Sequence, residues 1–102
     1  MASLGIPSRR PPQPGQFLES RFMKPLGISQ TALAKALGVS RRRVNELING
    51  RRSITPDTAV RLGLFFKNEA AFWMHLQVAW DMHQAVRQLR ASGRRPRASP
   101  AA

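Results

Sequence analysis

The chain has 102 residues and a formal net charge of +12, from 17 Lys plus Arg against 5 Asp plus Glu, with 42% apolar and 22% charged residues. That length and balance suit one small globular domain and exclude a wholly disordered chain. The absence of cysteine excludes disulfides, thiolate metal sites and cysteine catalysis, and points to a reducing cytoplasm. No apolar run approaches the roughly 20 residues of a membrane span, and Met1 to Pro14 lacks the apolar stretch of a signal peptide, so a cytoplasmic, non-membrane protein is expected. The cationic excess favours a polyanionic partner: nucleic acid first, an anionic membrane surface or an acidic protein second.

In chain order, residues 1–13 read as a flexible Pro-rich arm, because Met1 to Pro14 hold four of the eight prolines together with Arg9 and Arg10 and proline lacks the donors of regular structure. The folded domain is expected over 14–90. Gly15 to Met23 places Phe17, Leu18 and Phe22 on one helical face, with Pro25 and Gly27 as its stop. Ser29 caps a helix from Gln30 to Leu37 with Leu33, Ala34 and Leu37 inward, and Gly38 supplies the turn. Ser40 caps the next helix, Arg41 to Asn49, with Val44, Leu47 and Ile48 inward and Gly50 as its stop. Thr55-Pro56-Asp57 opens a helix to Phe66. The last helix starts at Asn68 or Glu69 and runs to about Leu89. Residues 91–102, with Gly93, Arg94, Arg95, Pro96, Arg97 and Pro100 and no acid, read as a disordered basic tail. Five helices and no strand pattern make the fold all-α.

Gln30 to Leu47 meets the requirements of a helix-turn-helix: small Ala34 where the helices approach, Gly38 at the turn, Val44 and Leu47 inward, polar residues outward. An ordinary αα-hairpin is the alternative, but it leaves the charge on the second helix unexplained. Arg41, Arg42 and Arg43 crowd the first turn of that helix, where cations oppose both the helix dipole and each other unless a polyanion lies opposite. In a major groove Arg41 and Arg42 suit guanine, Asn45 adenine and Glu46 cytosine. Arg43, nearer the inward side, is assigned to phosphate, with Gln30 and Thr31 before the turn and Asn49, Arg51 and Arg52 beyond the helix. Arg51 and Arg52 also fit a merely solvated loop, and Lys35 a solubilising role.

The fourth helix carries one apolar stripe, Ala59, Leu62, Gly63 and Phe66, and a second, Val60 and Leu64. In the last helix Phe72, Leu76, Ala79, Trp80 and His83 share a face, while Val78, Met82, Ala85 and Leu89 mark another. The surplus faces, Val60, Leu64, Val78, Met82, Ala85 and Leu89, are expected to form a homodimer seam; packing on the first helix or the arm is the alternative. Trp73 and Trp80 fit a core. His75 and His83 have no third ligand, so no metal is expected; no catalytic constellation or cofactor motif is visible, so no enzyme is expected.

From about Pro14 to His83 the sequence resembles the HigA-type antitoxins, a branch of the phage-repressor-like (Xre) helix-turn-helix regulators. The resemblance rests on Pro14-Gly15, on 25–30 (Pro-Leu-Gly-Ile-Ser-Gln), on 34–40 (Ala-Lys-Ala-Leu-Gly-Val-Ser), on Asn49-Gly50-Arg51, on 54–59 (Ile-Thr-Pro-Asp-Thr-Ala) and on 72–77 (Phe-Trp-Met-His-Leu-Gln). It implies a compact five-helix, lambda-repressor-like domain that is dimeric, binds double-stranded operator DNA near its own promoter and neutralises a RelE-like ribonuclease toxin. It carries the DNA role to Gln30, Thr31, Arg41, Arg42, Arg43 and Asn45. The chain departs from the pattern at Gln13 and Gln16, where His and Glu are usual, and at Lys67, where glycine is usual. Two alternatives stay open: a stand-alone regulator without a toxin, and a basic protein- or RNA-interaction module.

Overall fold

The computed structural model of the protein describes residues 10–94, 96 and 97; the expected arm over 1–9, and Arg95 and 98–102 of the expected tail, lie outside them. Every regular element among the described residues is helical: α1 (Pro14–Leu18), a π-helical stretch (Glu19–Met23), α2 (Lys24–Leu26), α3 (Gln30–Leu37), α4 (Arg41–Ile48), α5 (Pro56–Phe66) and α6 (Ala70–Ser92). The first three pieces follow without a break, so they make one composite first helix and the five-helix, all-α expectation holds.

That composite helix corrects the expected end at Met23, ahead of Pro25, and agrees with the expected stop at Gly27. The chain stays helical through Leu26 and ends at Gly27, in the left-handed region at φ +65°. The wide turn lies just before Pro25, whose ring would crowd the carbonyl four residues back in a regular α-helix. The π turn also sets the inward register: Leu18 and Met23, five residues apart, are both buried, the i, i+5 spacing of that geometry. Gln13 caps the start, its side chain accepting from Gln16 N at 2.8 Å. Gly15 lets α1 pack on α4, because a Cβ there would run into the Leu47 carbonyl.

The serine and threonine caps are as expected. Ser29 Oγ accepts from Ala32 N at 3.1 Å, Ser40 Oγ from Arg43 N at 3.1 Å and Thr55 Oγ1 from Thr58 N at 3.3 Å, each satisfying a donor that a helix start leaves unpaired. Gly38, at φ +72°, makes the turn between α3 and α4. The apolar residues read as inward on these helices, Leu33, Ala34, Leu37, Val44, Leu47 and Ile48, are all buried in one cluster with Leu18, Ile54, Ala59, Leu62 and Trp73.

α6 differs from expectation in two ways. It continues to Ser92, three residues past the expected end, because no breaker precedes Gly93, whose φ of +68° closes it; Ala91 and Ser92 are thus helical rather than tail. Its most buried residues are Trp73 and Gln77, while Phe72 is exposed at the edge of an aromatic group with Phe17, Phe22 and Phe66. Gln77 is buried without penalty because its Oε1 accepts from Ile54 N at 2.8 Å and its Nε2 donates to Asp81 Oδ1 at 2.9 Å. Trp73 Nε1 donates to Asn68 Oδ1 at 2.8 Å, which fixes the α5–α6 corner. The described end of the expected arm lies against the domain: the Arg10 guanidinium sits 5.6 Å from the Trp80 ring centre.

Candidate nucleic-acid interface

α4 has one face in the core, through Val44, Leu47 and Ile48, and the opposite face in solvent. Arg41 and Arg42 stand exposed at its start, and Thr31 is exposed at the start of α3. Gln30 and Asn45 meet across the turn, Asn45 Nδ2 donating to Gln30 Oε1 at 3.1 Å, so the first residue of α3 and the middle of α4 form one polar surface. Asn49, which ends α4, is exposed, and its Nδ2 donates to the Asn45 carbonyl at 3.0 Å. Arg51 is exposed beyond it. Arg41 and Arg51 make no ion pair with any other described residue.

The remaining three assigned residues are engaged within the protein. Glu46 accepts from two arginines: Arg42 Nε donates to Oε2 at 3.3 Å, and Arg52 Nε and Nη2 donate to Oε1 at 3.2 and 2.9 Å. The Arg52 hydrogen bonds hold the Glu46 carboxyl below the ordinary glutamate value; loss of hydration pushes the other way, and Arg42 adds to the lowering. Arg43 points off the solvent face. Its Nη2 donates to Asp57 Oδ2 at 2.9 Å and to Thr58 Oγ1 at 2.7 Å, which ties α4 to the first turn of α5 and takes up the side chain read from sequence as a phosphate ligand.

Asp57 also accepts from Arg61 Nε at 2.9 Å, and Arg61 Nη1 donates to the Leu37 carbonyl at 2.8 Å, one of the acceptors the end of α3 leaves unpaired. Arg43, then Arg61, hold the Asp57 carboxyl low, against a small effect of burial. Sequence reasoning missed Asp57 and Arg61 as the struts of the recognition helix. The available signal was their i, i+4 spacing on α5 with acid before base, which marks a helical ion pair but not its reach to α4.

The residues assigned to a dimer seam stay in solvent. Leu64 is 78% exposed and Val60, Val78, Met82 and Leu89 are exposed as well, as is Ala85. Leu64 lines an open hollow with Phe65, Arg61 and, from α3, Ala36 and Leu37. Among the described residues no helix is long and apolar enough to cross a membrane, and no cluster of His, Cys, Asp and Glu has the makings of a metal site.

Comparisons with known proteins bear on this surface. The helix-turn-helix family model matches residues 20–71. The chain is 46% identical over 72 residues to virulence-associated protein I of Dichelobacter nodosus, covering 71% of this chain and 67% of that one. It is 40% identical over 74 residues to antitoxin HigA-1 of Vibrio cholerae, covering 72% and 70%. Among solved structures, the antitoxin HigA of Pseudomonas aeruginosa with the higBA promoter superposes at a TM-score of 0.80 with 36% identity, covering 89% of this chain and 98% of that one. Of these, the Vibrio cholerae and Pseudomonas aeruginosa proteins are antitoxins, the latter solved with promoter DNA, and neither is an enzyme. The chain thus belongs to the Xre-like helix-turn-helix family, in its branch of HigA-type antitoxins.

Proposed function

We propose that the protein is a cytoplasmic repressor that binds its own operator as a dimer and acts as the antitoxin of a RelE-like ribonuclease toxin. The observation that carries the DNA reading is the exposed pair Arg41 and Arg42 at the start of a helix whose other face is locked in the core. With α4 in a major groove, Arg41 and Arg42 contact guanine and Asn45 contacts adenine. Gln30, Thr31, Asn49 and Arg51 lie on the flanking phosphates. The solved HigA relative with promoter DNA supports this use of the fold.

The exposed apolar residues Val60, Leu64, Val78, Met82, Ala85 and Leu89 support a second copy as their cover, since so many side chains left in water cost solubility. A twofold pair then reads two half-sites about one helical turn, roughly 34 Å, apart. The toxin half of the reading rests on the likeness to HigA-1.

Binding to duplex DNA from upstream of the protein's own reading frame tests the first part. Arg41→Ala and Arg42→Ala each lower operator affinity by about 1–3 kcal/mol while the melting temperature holds. Unchanged affinity in both contradicts the reading and favours a module that works through its basic ends. A monomer in sedimentation at micromolar concentration contradicts the dimer. Co-expression with the neighbouring reading frame yields a stable complex in which ribonuclease activity is silenced; free, separate products leave a stand-alone regulator.

A further inference from the structure

We propose that Glu46 sets the specificity of the recognition helix without touching a base, by tethering the guanidiniums of Arg42 and Arg52 against indiscriminate contact with phosphate. This rests on the DNA-binding function proposed above.

The two arginines are held differently. Arg52 comes from the loop after α4 and lays its Nε and Nη2 side by side on Oε1 of Glu46, at 3.2 and 2.9 Å, so one edge of its fork is occupied. Arg42, one turn before Glu46 on α4, is held through Nε alone, on Oε2 at 3.3 Å. Its Nη1 and Nη2 remain outward, and its side chain is 87% exposed against 23% for Glu46. The terminal pair of nitrogens is one edge that can bond guanine O6 and N7. Glu46 thus restrains the root of Arg42 and leaves the reading edge free, whereas it occupies the edge that Arg52 would turn to a phosphate.

The energetics follow from where each contact is made. A chain of net charge +12 has a large attraction to any duplex, and every free cation adds to it on all sequences alike. A phosphate contact by Arg52 through its Nε–Nη2 edge displaces charge-assisted hydrogen bonds to Glu46, while a guanine contact by Arg42 through its terminal nitrogens leaves its tether intact. Glu46 therefore weakens binding to arbitrary DNA more than binding to the operator. Direct reading of cytosine by Glu46 is the competing role for the same side chain, and the two roles predict different losses.

The test uses the full-length protein carrying Glu46→Gln, which keeps the shape and one acceptor oxygen but removes the charge. Affinity is measured over a range of salt for promoter DNA and for a scrambled duplex of equal length. The proposal expects the scrambled duplex to bind roughly fivefold tighter, with a salt slope steeper by up to about one, while promoter affinity rises less, so that the ratio falls. Adding Arg52→Gln to Glu46→Gln removes most of that gain. Equal changes on both duplexes, or none, overturn the proposal. So does lost discrimination at a single base pair with scrambled binding unchanged, which is the signature of a base reader. So does a full gain that persists in the double variant. A wild-type protein with no preference for promoter DNA overturns the DNA reading itself, and the proposal with it, whereas a wild-type preference that survives Glu46→Gln undiminished overturns the tether alone.

Discussion

Glu46 and Asp57 each sit between two arginines, yet the partners of Glu46 lie on α4 and the loop after it, whereas Asp57 joins Arg43 of α4 to Arg61 of α5 and, through Arg61, to the end of α3. The chemistry is the same and the elements bridged are not. A carboxylate that links neighbours on one surface orients cations for an outside ligand. A carboxylate that links three helices braces the fold beneath that surface. The triplet Arg41-Arg42-Arg43 is divided between these uses: the first pairs with no described residue, the second is tethered with its terminal nitrogens outward, and the third is a strut.

The largest effect that sharpens this contrast comes from Arg43→Ala. It removes the 2.7 Å donor to Thr58 Oγ1, on a residue that is otherwise buried, and costs about 1–2 kcal/mol of stability, most of it from that hydroxyl because exposed ion pairs add little. Thermal unfolding should show a melting point lower by roughly 4–8 °C per kcal/mol. Operator affinity, measured well below that midpoint, stays as in the wild type. A loss of affinity with unchanged melting would place Arg43 among the DNA ligands instead. Arg51→Ala is the converse: melting holds, all sequences bind more weakly to a similar degree, and the salt slope falls by about one.

Lys67→Gly separates stability from binding at a site away from both clusters. Lys67 ends α5, at the opposite end from Asp57, with a φ of +57° that L side chains adopt at a cost. Glycine there raises stability by up to about 1 kcal/mol, less its own entropy in the unfolded chain, and leaves operator affinity and salt slope unchanged. The smallest effect is acid sensitivity. Both carboxyls are held below their ordinary values, 4.5 for Glu46 and 3.8 for Asp57. A lowered folded-state value means stability that is fully present above those values and lost as pH falls through the lowered ones. Melting curves should therefore decline on acidification below about pH 4.5, and Asp57→Asn should flatten part of that decline; an unaltered pH profile would remove Asp57 from the struts.

Much of this was legible in the sequence because it is written locally. Ser29, Ser40 and Thr55 each cap a helix that starts at the next residue, and Gly27, Gly38 and Gly93 end theirs. Lys67, in place of the family's usual glycine, marked the one non-glycine residue of positive φ among those described. What escaped depends on distance in sequence or on register. Arg43 finds Asp57 and Thr58 across 14 and 15 residues, so its place nearer the inward side was legible as a phosphate contact but its partners on α5 were not. Gln77 carries no apolar signal for burial, and its partner, the Ile54 backbone, lies 23 residues away. The π turn moved Met23 inward, which no 3.6-residue period anticipates.

The proposed repressor role requires that the exposed start of α4 recognise a particular duplex rather than nucleic acid in general. The most direct measurement is the affinity of the wild-type protein for DNA upstream of its own reading frame against a scrambled duplex of equal length, across moderate to high salt, with a footprint of the bound promoter. A dimeric repressor prefers the promoter by about 10³ or more and protects two half-sites about one helical turn apart. Equal affinity for the two duplexes at every salt concentration would contradict it.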